Sequence, residues 1–188
     1  MNEEQFHKVT SLLSAFKPRA EITLDVIPAP QKLAKFAFAL SADVSNGMVG
    51  DNEKELANGR FVILHEPGGQ ETWEGEFRCV TYLNADLDRT EAEDPTLPEH
   101  GWNWLLKALD ENGCDYAAPS GTVTRAISHS FGKLSNDSDG GDIEIRASWS
   151  PIITRAEDLV GHLQAWCNLL AEISYLQPIP EGVTTIRR

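Results

Sequence analysis

A short break, Pro67-Gly68-Gly69-Gln70, separates two stretches of strand-forming sequence, and no other feature constrains the fold as tightly. Before it, Arg60 to His65 is a short apolar strand. After it, Thr72 to Ala85 alternates, with Glu74, Glu76 and Arg78 on one face and Trp73, Phe77 and Cys79 on the other. Strands joined this closely pair as an antiparallel hairpin, because a parallel return needs a crossover of roughly a dozen residues. A second pair lies downstream. Gly121 to Phe131 and Asp142 to Trp149 flank a loop, Gly132 to Gly141, rich in Ser, Asn, Asp and Gly. Strands in adjacent pairs argue for a two-layer α+β domain and against a doubly wound parallel sheet.

The remaining segments fill in the order. Asn2 to Lys17 places Phe6, Val9, Leu13 and Phe16 on one helical face, with Asn2 as N-cap, Glu3 and Glu4 at the positive end of the dipole, and Pro18 as the stop. Ala20 to Ile27 alternates as a half-buried strand. Pro28-Ala29-Pro30 ends it, and Leu33, Phe36, Ala37, Leu40 and Val44 then fall on one face of a second expected helix. Ser45 to Gly59 reads as a loop and Asp86 to Pro98 as an acidic connection. A helix from about Pro98 to Asn112 carries Trp102, Leu105, Leu106 and Leu109 on one face, with Gly113 as its stop. Thr154-Arg155-Ala156-Glu157 has the pattern of a capping box opening a last helix with Leu159, Leu163, Trp166, Cys167, Leu170 and Ile173 on one side. The expectation is one domain over residues 1–188, in the order αβαββαββα. It has a mainly antiparallel sheet of about five strands and about four helices, an N-terminal helix in 1–19 and an extended tail over 178–188.

Charge bounds the partners. The chain of 188 residues carries 29 acids against 16 bases, a formal net charge of −13. That field disfavours direct nucleic-acid binding and anionic membrane surfaces. No apolar run approaches the roughly 20 residues of a membrane-spanning helix. Cys79, Cys114 and Cys167 are odd in number and form no CxxC, which suits reduced thiols in a cytoplasm. Met1-Asn2-Glu3-Glu4-Gln5 lacks the basic-then-apolar pattern of a signal peptide.

Several stretches resemble a known family when taken as a set: Trp73-Glu74-Gly75-Glu76-Phe77-Arg78, Gly101-Trp102-Asn103-Trp104-Leu105, Gly121-Thr122-Val123-Thr124-Arg125 and Glu144-Ile145-Arg146-Ala147-Ser148-Trp149. Over roughly residues 20 to 182 the chain is similar to an uncharacterised actinobacterial family, domain of unknown function 3000. The resemblance implies a bacterial cytosolic protein. It brings no activity, cofactor or catalytic residue to carry over.

Specific chemistries fail on spacing. If Gly140 were the sixth position of a calcium loop, Ser135 and Arg146 would stand where the loop needs acids. Neither GxGxxG nor GxxxxGK[ST] occurs. His7, His65, His100, His129 and His162 are dispersed, so no local metal motif and no cofactor site is expected. His129 cannot easily activate Ser128 or Ser130, its strand neighbours, because they point to the opposite face. A Cys79–His129 pair would need adjacent strands in register, and Cys79 shares its face with Trp73 and Phe77. No catalytic residue is assigned.

What remains is the strand Gly121 to Phe131. One face carries Thr122, Thr124, Ala126, Ser128 and Ser130, the other Val123, Arg125, Ile127, His129 and Phe131. Either the apolar face is core, with Arg125 snorkelling at the sheet edge and His129 a satisfied core histidine, or Arg78, Arg125 and Arg146 gather as an anion or acidic-partner site with His129 beside them. Trp104 lies off the apolar stripe of its helix and is a candidate contact residue. The residues support a non-enzymatic binding or adaptor domain, with a homodimer or another protein as partner. The alternative is a small-molecule enzyme or sensor holding an anionic ligand at Arg125 and its neighbours.

Overall fold

The computed structural model of the chain describes residues 2–134 and 140–178. Asn2 caps α1 (Glu3–Ala15) as expected: its side chain accepts from the Gln5 amide at 2.9 Å, and Gln5 Oε1 accepts from the Asn2 amide at 2.8 Å. β1 (Ile22–Ile27) follows, and β2 (Phe36–Ser45) runs back antiparallel along it.

β2 replaces the expected second helix. Phe36, Phe38, Leu40, Ala42 and Val44 alternate as strictly as Phe36, Ala37, Leu40 and Val44 step helically, so the segment satisfies both periods. Tertiary context decides between them. β2 lies between β1 and β3 (Glu55–Gln70), which bond both of its edges, and Leu33, the first anchor of the helical pattern, is 55% exposed. The expected loop 45–59 is correspondingly shorter, since β3 begins at Glu55.

β3 and β4 (Gly75–Leu87) form the expected antiparallel hairpin, with Gly68 and Gly69 at φ +92 and +76 in its turn region. The acidic connection holds a short helix, α2 (Arg89–Glu93), and then α3 (Leu97–Glu111). β5 (Tyr116–Ser128) and β6 (Gly140–Pro151) make the second hairpin, and α4 (Asp158–Ile173) completes the described chain. The capping box at Thr154 does not form. Instead the Asp158 carboxylate accepts from the Thr154 and Arg155 amides, both at 2.9 Å, and these bonds hold its pKa down at about 2. Residues 135–139, which include most of the calcium-like Asp137-Ser138-Asp139-Gly140, and the expected tail beyond residue 178 lie outside the described residues.

The fold is α+β, and the strands of the described residues form one antiparallel sheet in the order β1-β2-β3-β4-β6-β5, six where about five were expected. Among the described residues, α1 to α4 all lie on one face. α1 stacks Phe6 on Phe36 and His65, and α4 stacks Trp166 on Phe61. The α3 backbone comes down on Ile143, Ile145 and Val123 at Gly101, and Ala92 of α2 sits over Gly141. The core lies between these layers, with Ile22, Ile63, Leu83, Ile145, Trp149 and Trp166 fully buried. None of α1–α4 packs on the opposite face.

Candidate functional site

On the face without helices, register sets the neighbours. Opposed residues share a face, so Arg60, Tyr82, Arg146 and Thr122 form one row across β3, β4, β6 and β5. Val62, Val80, Ser148 and Ser120 form the next, and Leu64, Arg78 and Ser150 the one after. Arg78 and Arg146 therefore lie on the same face, offset by two rows, roughly 13 Å along the strands.

Arg78 is the unusual residue. It is only 8% exposed, yet its partners are all neutral. Nη1 donates to the Ala118 carbonyl at 2.9 Å and to Ser150 Oγ at 3.1 Å, and Nη2 donates to Ser120 Oγ at 3.0 Å and Ser148 Oγ at 2.7 Å. Ser150 Oγ in turn donates to the Trp73 carbonyl. Among the described residues no carboxylate lies within ion-pair distance of this guanidinium. Burial pushes its pKa down, with the charge of Glu74 among the opposing influences, but an arginine remains protonated.

The backbone is shaped around this side chain. β5 slips register against β6 between Ala117 and Ser120, and Ala118 sits there at φ +47, the left-handed region that costs a residue with a Cβ about 1 kcal/mol or more. The bulge delivers the Ala118 carbonyl to Arg78 and restores register with Ser120 opposite Ser148. Gly121 then lets β5 and β6 close up. A Cβ there would stand 2.5 Å from the Arg146 carbonyl oxygen and 3.0 Å from the Trp102 ring of α3. Ser120 Oγ and Ser148 Oγ lie 3.4 Å apart.

Next to this pair is an open depression of about 380 Å³, lined by Val80, Ser120, Thr122, Arg146 and Ser148 among others. A second, of about 490 Å³, lies over Ser41, Asp43, Asn58, Arg60 and Tyr82. Tyr82 and Arg146 form the ridge between them. The Arg146 guanidinium lies 5.5 Å from the Tyr82 ring centroid, and its Nε contacts Glu144 Oε1 at 2.8 Å. Partial burial and the Glu144 charge raise the Tyr82 pKa, so its hydroxyl stays protonated at neutral pH.

The structure divides the residues singled out from sequence. Arg78 and Arg146 share the uncovered face. Arg125 points the other way, alongside Val123, and its Nη1 donates to the Ala92 carbonyl at 3.0 Å at the sheet edge, so the three arginines are not gathered. The side of β5 that carries Val123 thus faces the helices and Val123 packs on the core, but Ile127 and Phe131, which the core reading buries, are 39% and 80% exposed. His129 follows the end of β5 and is exposed. It does not meet Cys79, because β6 lies between their strands; separately, burial raises the Cys79 thiol well above its usual range. Trp104 is half-buried, edge-on to Tyr175 at 6.2 Å and tilted against His100 at 6.3 Å. Ser120, Ser148 and Ser150 were missed. Their signal was available in β6, where Ser148 and Ser150 continue the polar side begun by Glu144 and Arg146.

Among the described residues no cluster of His, Cys, Asp and Glu could hold a metal ion, and no helix is long and apolar enough to cross a membrane. Fold and site together define a class, an α+β domain that covers one face of an antiparallel sheet with helices and sets a neutrally ligated arginine in the other. The chain belongs to the family described as Protein of unknown function (DUF3000), whose model matches residues 2–184. No curated protein and no solved structure matches it.

Proposed function

We propose that the chain is a non-enzymatic binding or adaptor domain of the cytoplasm that takes a protein partner on the uncovered face of its sheet. The observation that carries this is the composition of that face. Val62, Val80 and Tyr82 lie half-buried beside the exposed Arg60 and Arg146, with a depression on each side of the ridge. Mixed apolar and arginine-bearing surfaces are what interfaces enrich. Arginines on one face of a chain at −13 favour a partner that brings acidic side chains to them. Three buried, unpaired cysteines fit a reducing compartment.

The test starts by capturing the partner from the host lysate and identifying it by mass spectrometry. The purified pair is then reconstituted and its Kd measured for the wild type and for Val62→Asp/Val80→Asp. At least a tenfold weakening, with an unchanged melting midpoint, is expected. Equal affinity of the variant, or crosslinks confined to α1–α4, would remove the sheet face as the binding surface. Concentration-dependent mass of the isolated chain in sedimentation would replace the outside partner by a second copy.

A further inference from the structure

We infer that Ser120 and Ser148, with Thr122 and Arg146 at the rim, form a seat for a single carboxylate group, with the Arg78 charge behind it. The inference deepens the sheet-face reading, since it names the group that this face would grip.

The argument begins with hydrogen-bond direction. Ser120 and Ser148 both accept from Arg78 Nη2, at 3.0 and 2.7 Å, so neither hydroxyl proton is used on the arginine. One hydroxyl can donate to the other across 3.4 Å, but the second proton then has no partner in that pair. An anion over the two oxygens would take both protons. Ser150 cannot join, because its proton is committed to the Trp73 carbonyl. The hydroxyls polarised by Arg78 therefore open toward the depression of about 380 Å³ whose rim holds Thr122 and Arg146.

Charge selects the ligand. Arg146 is balanced by Glu144 at 2.8 Å, whereas Arg78 has neutral partners throughout. The site thus carries one unbalanced positive charge. A carboxylate cancels it. A phosphate dianion would overshoot by one negative charge in a chain already at −13. The two donors lie side by side, as the two oxygens of a planar carboxylate require.

The experiment is a titration of the 15N-labelled full chain with sodium acetate at pH 7, against sodium chloride at matched ionic strength, followed by amide shifts. Saturable shifts confined to the amides of Ser120, Gly121, Thr122, Ala147 and Ser148 are expected. Ser120→Ala/Ser148→Ala should weaken acetate binding at least tenfold, while Ser128→Ala, at the far end of the strand, should leave it unchanged. Arg78→Met should abolish binding, and because that change also removes the bonds to Ala118 and Ser150, the serine pair carries the test. Absent, non-saturable or displaced shifts overturn the proposal, as does full binding by the serine variant. Tighter binding of phosphate at the same amides overturns the carboxylate assignment. Succinate and an end-blocked glutamyl tripeptide separate the sources: whichever binds tighter marks the carboxylate as a metabolite's or a partner's. The probe is independent of any partner. If Val62→Asp/Val80→Asp leaves the partner bound while acetate still finds its seat, the sheet-face reading falls and the seat stands.

Discussion

On the helix side of the sheet, the largest buried residues each satisfy a single polar atom. Trp166 Nε1 donates to Thr81 Oγ1 at 2.7 Å, and Trp149 Nε1 donates to His162 Nδ1 at 3.1 Å. On the other side a full charge is buried, Arg78, spread over three hydroxyls and a carbonyl. The covered face hides apolar area and gives each of these two indole N–H groups an acceptor. The uncovered face keeps a charge that nothing in the described structure neutralises, although removing a charge from water is far costlier than removing an indole N–H. Apolar burial is thereby concentrated on one face, and an un-neutralised charge sits in the other.

The largest expected effect tests that division directly. Trp166 is fully buried between Phe61 and β4, so Trp166→Ala should cost about 4 kcal/mol in chemical denaturation. Val80→Ala, on the uncovered face, should cost under about 1 kcal/mol. Comparable losses would mean that the second face is buried in the protein as it exists in solution.

A smaller effect comes from protons. Burial holds the His162 pKa down at about 4, below the 6.5 of an exposed histidine. The unfolded chain therefore binds this proton first. Stability from His162 is complete above about pH 6.5 and falls as the pH approaches about 4, by roughly 3 kcal/mol in all. His65, also lowered by burial, adds to the same slope. Asp158 acts in a separate window, because its contribution persists until the pH drops below about 3.8 and is lost toward about 2. Denaturation midpoints at pH 7 and pH 5 should differ clearly for the wild type and much less for His162→Gln. An unchanged difference would show that the burial of His162 is not what the acid limb reports.

The hairpins were legible because Pro67-Gly68-Gly69-Gln70 leaves no room for a crossover, and α1, α3 and α4 because their apolar steps fit one period. β2 was not, because Phe36 to Val44 fits two periods and only its neighbours in the sheet decide. Arg78 was legible as a charge on the polar side of β4. Ser148 and Ser150 were legible as polar-side residues of β6, but their pairing with Arg78 was not, because it depends on β6 lying between β4 and β5 and, for Ser120, on the bulge at Ala118. Arg125 looked equivalent to Arg78 and Arg146 in composition. Strand parity, once Val123 faced the helices, placed it on the other side.

The smallest predicted effect turns on two buried histidines of the covered side. His162 accepts from Trp149, so its Nδ1 is unprotonated and the ring is neutral with its proton on Nε2. His65 is just as buried but has no hydrogen-bond partner at either nitrogen. Its Nε2 lies 3.6 Å from Glu76 Oε2, beyond hydrogen-bond reach, and Glu76 instead accepts from the Gly68 amide at 3.1 Å. What surrounds His65 is aromatic: Phe77 at 4.4 Å, Phe36 at 5.6 Å and Phe6 at 6.0 Å between ring centroids. A phenyl ring keeps those stacks and removes two unsatisfied polar atoms, so His65→Phe should stabilise the fold by about 1 kcal/mol. The same change at His162 should destabilise it by a similar amount, since the Trp149 N–H would lose its acceptor. Denaturation of the two variants side by side reads the sign. If His65→Phe destabilises as well, the long contact to Glu76 is worth more than its geometry allows, and the covered face holds a second polar anchor rather than a single satisfied one.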